Sequence, residues 1–184
     1  MHLDRRGFLK TGMAGFGSIL LMPSCFRQSS SWLFFTDAEA MCVVALCEQI
    51  IPADEHGGGA TEAGVIHYID RQLVAVFDYD QVIYQQGIAA LQASCLELHG
   101  QRFESLEAEE QLAICTAMEN DTLSAEAWGD LGQSRFFNLV IRHTMQGFYG
   151  APRHGGNRNY MSYQMMGLDF PLVVGRNHYK HPSG

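Results

Sequence analysis

Residues 36–52 read TDAEAMCVVALCEQIIP, and this stretch is typical of a helix with a defined start and a defined end. Thr36 and Glu39 form the capping-box pattern, in which a hydroxyl and a carboxylate accept hydrogen bonds from backbone N–H groups that the first turn leaves free. Apolar residues then recur at helical spacing. Pro52 ends the run, because the residue before a proline is disfavoured in helical geometry. The chain is therefore predicted to begin its folded body with a helix.

Four further helical patterns follow, each with its own start signal. The third of the five is the clearest, because apolar residues recur there at intervals of four and three: Tyr84, Ile88, Leu91, Cys95 and Leu98. The predicted starts are Thr61 for the second helix, Asp78 or Asp80 for the third, Ser105 for the fourth and Ser134 for the fifth. A short helical turn is expected over 125–128. No stretch alternates as a strand does, so the sequence predicts an all-α fold, a bundle of about five helices joined by short loops.

The first 24 residues have the features of an export signal rather than of a buried N-terminal helix. A charged start precedes an apolar run over 11–22, which is too short and too rich in glycine for a permanent membrane anchor. An adjacent arginine pair followed by Phe-Leu-Lys resembles the twin-arginine signal, which carries folded proteins across the inner membrane. Asp4 departs from the Ser or Thr that usually opens the motif. The signal residues are Arg5, Arg6, Phe8, Leu9 and Lys10.

Cys25 follows this segment directly, and two outcomes stay open for it. It is either the lipidated first residue of a lipoprotein or a residue near a plain cleavage site. Met22 stands three positions earlier, where a lipoprotein usually has Leu. The predicted organisation is a signal over 1–24, a tether over 25–33, a helical domain over 34–146 and an irregular segment over 147–184. Membrane association is expected only through a lipidated Cys25 or through a partner.

Charge is divided unevenly along the chain. The 184 residues carry a net charge of −8, which excludes a general nucleic-acid binder, because such proteins need a basic surface. Residues 25–134 hold 3 basic and 18 acidic side chains, whereas residues 135–184 hold 6 basic and 1 acidic. The last 38 residues are also rich in glycine and aromatic residues. Arginines beside aromatics are typical of protein interfaces, although an ordinary basic surface has the same composition.

No pattern in the sequence predicts a catalytic, metal or cofactor site. The glycines at 57–59 lack the spacing of a phosphate-binding loop, and no Cys-x-x-Cys or His-Glu-x-x-His motif occurs. Asp54, Glu55 and His56 form the best acidic loop cluster, which solvated loop charge explains equally well. His67 and His143 lie on predicted helices and are interpreted as structural residues. We therefore expect neither a catalytic residue nor a bound metal or cofactor in this chain.

Four cysteines lie on or near the apolar faces of the predicted helices. Buried free thiols behave as small apolar groups. A protein that folds before export must also fold while its thiols are reduced. We therefore expect no disulfide to be needed for folding, and the thiols concerned are those of Cys42, Cys47, Cys95 and Cys115.

Three stretches together resemble the gluconate 2-dehydrogenase subunit 3 family. They are the arginine signal, the first helix with FTDAEA at 35–40 and QIIPAD at 49–54, and the run GFYGAPRHGGNR at 147–158. The resemblance extends over roughly 34–167, and the glycine-rich run is its most specific part. Tyr163 stands where many relatives have Trp.

The resemblance implies a non-catalytic small subunit of a periplasmic or membrane-associated dehydrogenase. Its substrates would be sugars, sugar acids, glycosides or polyols. The large partner would be a flavoprotein of the glucose-methanol-choline oxidoreductase type that carries FAD, and a cytochrome subunit with haem c often accepts the electrons. The small subunit is thought to carry the folded flavoprotein through twin-arginine export to the periplasm and to stay bound to it.

On this resemblance residues 146–170 are predicted to wrap the flavoprotein. The glycines there would allow close backbone approach. The anchors would be Phe148, Tyr149, Arg153, Asn157 and Arg158. Two other interpretations stay open: a self-contained periplasmic lipoprotein or binding module that uses the segment as a ligand lid, and an enzyme with a site around residues 54–56. The predicted interface residues are Gly147, Phe148, Tyr149, Gly150, Pro152, Arg153, Gly155, Gly156, Asn157 and Arg158.

Overall fold

A computed structural model describes residues 31–168, and over this range the protein is helical without strands. Residues 31–168 form six α-helices, and short 3-10 turns precede every helix from the third onward. The predicted all-α bundle is confirmed, with one helix more than the sequence indicated. The helices are α1 (Asp37–Ile50), α2 (Val65–Leu73), α3 (Gln81–His99), α4 (Ala108–Glu119), α5 (Gln133–Tyr149) and α6 (Met161–Met165).

Helix α5 lies at the centre of the bundle. It packs against α1, α2, α3 and α4, and α6 contacts its end. The ring of Phe136 is fully buried and lies so close to Gly87 of α3 that a Cβ at this glycine would overlap the ring. Because interiors are packed to the density of organic crystals, this contact fixes how closely α3 and α5 approach each other.

The starts of α1 and α4 both use a capping box. In α1, Thr36 N–H donates to Glu39 Oε2 at 2.8 Å and Glu39 N–H donates to Thr36 Oγ1 at 3.3 Å, as the sequence predicts. In α4 the predicted start at Ser105 is wrong. Glu107 and Glu110 form the box there, because Ser105 ends a preceding 3-10 turn.

The starts of α2 and α3 differ from the prediction in another way. Helix α2 does not begin at Thr61 but follows Gly64, whose φ of 70° is left-handed and breaks the helical path. Asp80 does precede α3, but its side chain makes no capping hydrogen bond and is buried instead. Four of the five predicted apolar positions of α3 are buried, whereas Leu98 is 59% exposed.

Both predicted boundaries of the helical domain shift. The N–H groups of residues 33–35 all donate to the Asp70 carboxylate, at 2.7, 2.9 and 3.2 Å, so the end of the predicted tether belongs to the folded body. At the other end, α5 continues through Tyr149, and residues 161–165 form a further helix within the segment expected to be irregular.

The predicted signal and Cys25 lie outside the described residues, as does everything after Leu168. Among the helices of residues 31–168, none is both long enough and apolar enough to cross a membrane.

Candidate functional site

The segment between α5 and α6, residues 150–160, folds back over α2 and is called here the arginine loop. Its backbone is tied to the bundle where the Arg158 N–H donates to the Ala63 carbonyl at 2.9 Å. Arg71 of α2 donates from Nη1 to the Arg153 carbonyl at 3.4 Å. The loop therefore has a defined conformation on this chain and is not a free linker.

Asn157 holds the arginine loop together from inside. Its side chain is fully buried, donates from Nδ2 to the Gly150 carbonyl at 2.9 Å and accepts from the Ser162 N–H at Oδ1, also at 2.9 Å. Its φ of 46° is left-handed, a conformation that Asn tolerates better than most residues. One side chain thus joins the end of α5 to the start of α6.

The glycines of this region serve contacts within the chain. A Cβ at Gly156 would overlap the Gly147 carbonyl oxygen, so the loop backbone lies directly on the last turns of α5. Gly155 has a φ of 112° and lies against the carbonyl of His67. These glycines thus let the loop backbone lie close to α5 and α2, and their predicted close approach to a partner stays a prediction.

Two predicted anchors are inaccessible in this fold. Phe148 is 1% exposed and belongs to the core, and Asn157 is 0% exposed. Neither side chain can contact a partner without opening the loop, so their assignment as direct anchors is corrected. Tyr149, Arg153 and Arg158 are exposed, and their role at an interface stays a prediction.

The exposed side of the arginine loop forms a cationic patch with α2. The patch combines three guanidinium groups with two imidazoles: Arg71, Arg153, Arg158, His67 and His154. Within residues 31–168 none of these three arginines makes an ion pair with a carboxylate. Partial burial, together with the charge of Arg158, lowers the pKa of His67, whose ring stacks on Trp32 at 5.0 Å. Arg71 has no distinguishing sequence pattern, and sequence reasoning missed its place here.

A groove of about 320 Å³ lies beside the patch, between α2 and α5. Tyr68 Oη donates to Gln146 Oε1 at 3.3 Å across it. Met145 and Tyr149 are each 43% exposed on its α5 side. The groove combines aromatic rings, a flexible thioether and amide groups, and the residues that line it include Tyr68, Gln72, Met145, Gln146, Tyr149 and His154.

The glycines at 57–59 support packing. Met165 lies against Gly57, and Met161 lies against Gly58, so the glycine loop is covered by α6. A methionine side chain adapts to such irregular gaps.

The acidic loop at residues 54–56 is a solvated turn in which Asp54 Oδ1 accepts from the N–H groups of His56 and Gly57, at 2.8 and 3.1 Å. No group of three metal-ligating side chains that could hold an ion occurs within residues 31–168.

The strongest buried polar cluster lies under α5 and was not predicted. Tyr84 Oη is 3.1 Å from His143 Nδ1, and His143 Nε2 is 3.5 Å from Asp80 Oδ2. Phe77 stacks on the imidazole at 4.6 Å. Burial lowers the pKa of His143 to about 4 and raises the pKa of Asp80. His143 is therefore neutral at neutral pH and, at 1% exposed, closed to any substrate. Its interpretation as a structural residue is confirmed.

The four cysteines within the described range are buried and unpaired. Burial raises the pKa of Cys47, Cys95 and Cys115 to about 12, and raises that of Cys42 further. Since the thiolate is the reactive form, these thiols are chemically inert. Their predicted place on apolar helical faces is confirmed.

Comparison with known families gives one match. The model of the family described as gluconate 2-dehydrogenase subunit 3 matches residues 37–169, which is well over half of the chain. The chain belongs to this family. Neither the curated proteins nor the solved structures give a match. The region matched to gluconate 2-dehydrogenase subunit 3 contains the arginine loop, the cationic patch and the groove, and the family description makes the chain a subunit of a dehydrogenase complex.

Proposed function

We propose that this protein is the non-catalytic small subunit of a periplasmic, flavin-dependent dehydrogenase that oxidises sugars, sugar acids, glycosides or polyols. It escorts the folded flavoprotein through twin-arginine export and stabilises it in the finished complex. The observation that carries the proposal is the match to gluconate 2-dehydrogenase subunit 3 over residues 37–169. The large subunit is a glucose-methanol-choline type flavoprotein with FAD, and a haem c cytochrome is the electron acceptor.

The chemistry of the described residues supports a non-catalytic role. General acid–base catalysis needs a titratable group within reach of substrate. The histidine with the most strongly shifted pKa, His143, is sealed beneath Phe77 and Tyr84. The thiols are buried and protonated. The exposed surface of the arginine loop instead offers arginine and tyrosine, the residues that dominate binding energy at protein interfaces.

The export route agrees with two properties of the chain. The twin-arginine pathway accepts folded proteins, and an arginine pair stands at Arg5 and Arg6. Folding before export takes place where thiols are kept reduced, and the four buried cysteines of the bundle are free. A flavoprotein that binds its cofactor and folds in the cytoplasm could then cross with this chain and need no signal of its own.

Replacing the arginine pair tests the proposal. The double variant Arg5→Lys, Arg6→Lys should leave both this chain and the flavoprotein in the cytoplasm, because the pair is the recognised part of the signal. Arg27→Lys, which lies beyond the apolar run, is the matched control and should be exported normally. Dye-linked dehydrogenase activity and both proteins are measured in periplasmic and cytoplasmic fractions. Periplasmic activity at the wild-type level in the double variant would contradict the export role.

A further inference from the structure

We infer that the groove between α2 and α5, together with the cationic patch, is the docking site for an acidic segment of the flavoprotein that carries one apolar side chain. The inference rests on the proposed function, because it names the surface through which the two subunits bind. It also differs from the sequence-based prediction, since two of the anchors expected there are buried and much of the surface was not expected, including Tyr68, Arg71 and Met145.

The charges favour an acidic partner segment. Residues 31–168 contain six arginines, no lysines and 18 acidic residues, so the described body is strongly acidic as a whole. Three of the six arginines nevertheless meet in the patch, at the end of the groove where His154 contributes to its lining. Arg142, which is exposed one turn before Met145 on α5, lies 4.0 Å from the Asp80 carboxylate and is not part of the patch. A basic surface on an acidic protein attracts a partner of opposite charge and specifies its orientation.

The shape of the groove favours an apolar side chain at its centre. Tyr68 and Tyr149 present aromatic rings, and Met145 adds a side chain that adjusts to the shape of a ligand. Gln146 is exposed and offers the NH2 group of its amide to a peptide backbone, while its Oε1 accepts from Tyr68. Interfaces place such aromatic anchors at the centre and leave charged residues at the rim. The groove and the patch have this arrangement.

The arginine loop is ordered before any partner binds. Asn157 fixes the loop from inside, and Arg158 is held by its own N–H on the Ala63 carbonyl. Arg71 lies on a regular helix, with its guanidinium already on the loop backbone. Since ordering side chains and loops on association reduces affinity, a surface that is already ordered binds more tightly than a flexible one of equal composition.

The test uses the intact complex purified through a tag on the full chain, with variants on the groove surface. Arg71→Gln with Arg153→Gln should weaken subunit association about tenfold or more and flatten its dependence on salt. Tyr149→Glu should weaken it by at least a similar factor. Arg135→Gln, an exposed arginine outside the patch, and Leu112→Glu, at an exposed apolar position of α4, are the controls and should associate like the wild type. Dissociation is measured by mass photometry over a dilution series, and melting by circular dichroism shows that each variant folds.

Photo-cross-linking identifies the occupant. A benzoylphenylalanine at Tyr149 should cross-link to an acidic stretch of the flavin-containing subunit, whereas the same group at Leu112 should not. Unchanged association in the patch and groove variants, or cross-links from Tyr149 to lipid or to a second copy of this chain, would overturn the docking site while leaving the proposed function standing. Failure of the wild-type chain to co-purify with any flavoprotein would overturn both.

Discussion

The arginine loop should depend on one buried side chain, and the substitution Asn157→Ala tests this. Asn157 accepts from the Ser162 N–H and donates to the Gly150 carbonyl, both at 2.9 Å, with no exposure of its side chain. Alanine removes both partners and leaves a backbone donor and a backbone acceptor unpaired. Each such group costs about 1–3 kcal/mol when it is buried, so we expect a loss of about 3 kcal/mol for the pair.

Asn159→Ala is the matched control. Asn159 also has a left-handed φ, 56° against 46° for Asn157, so both substitutions place alanine in the same strained region at a similar cost of about 1 kcal/mol. The Asn159 side chain is exposed, whereas its carbonyl accepts from Gln164 in a bond that alanine retains. The difference between the two variants therefore isolates the two buried hydrogen bonds.

The lost free energy should appear as local opening of the arginine loop rather than as unfolding of the whole protein, because the loop can separate from α2 while the other helices stay packed. Hydrogen exchange measured by mass spectrometry should show a roughly hundredfold faster exchange of amides over 150–166 in Asn157→Ala than in Asn159→Ala, the factor that corresponds to about 3 kcal/mol. Exchange within α3 should be equal in the two variants. Equal protection of 150–166 in both variants would refute the role given to Asn157.

Three other predictions concern residues around this loop and the core. When the pH falls from 7 to 5, the free energy of unfolding measured in urea should decrease by about 2 kcal/mol more in the wild type than in His143→Gln. The His143 imidazole has a pKa of about 4 in the folded protein, so over this range only the unfolded chain takes up a proton there. The raised pKa of Asp80 has the opposite effect on stability and is present in both proteins. Equal pH dependence would contradict this. Asp70→Ala should lower the free energy of unfolding by about 3 kcal/mol, because three backbone N–H groups lose their acceptor. Asp70→Asn should lower it by about half as much, since one acceptor oxygen remains. Equal losses in the two variants would contradict the role given to the carboxylate as a charged acceptor. Gly156→Ala should lower the melting temperature more than Gly147→Ala. The new methyl group at 156 would overlap backbone atoms, whereas the one at 147 would meet side chains that can move. The reverse order would refute the close contact between the backbones of Gly156 and Gly147.

The helices could be predicted because their signals are local. The capping box of α1 and the apolar spacing of α3 depend on residues within one or two turns, and both appear in the structure. The start of α2 could not be predicted from Thr61, because the turn before it is set by contacts elsewhere. The Thr61 N–H donates to the Glu48 carboxylate of α1 at 2.9 Å, and the turn ends at Gly64, whose φ is left-handed. Tertiary contacts of this kind outweigh local capping preferences.

The candidate site was predicted only in part, for a related reason. The sequence marks 147–158 as unusual by its glycines and arginines, and this region does form the loop and patch. It does not tell which side of the segment faces inward. Phe148 continues the buried stripe of α5 two residues beyond the predicted end of the helical domain at 146. Arg71 joins the patch from a helix some eighty residues earlier in the chain. Both depend on how the segment folds back, which spacing along the chain does not encode.

The central claim is that this chain functions as the small subunit of a flavin-dependent dehydrogenase. The most direct test purifies the full chain from its native host through a tag. Native mass spectrometry of the purified material and a dye-linked sugar dehydrogenase assay then follow. We predict a stable complex that contains FAD in the larger chain and oxidises sugars or polyols, and no activity in this chain alone. A chain that remains free of any flavoprotein, or that oxidises sugars by itself, would contradict the claim.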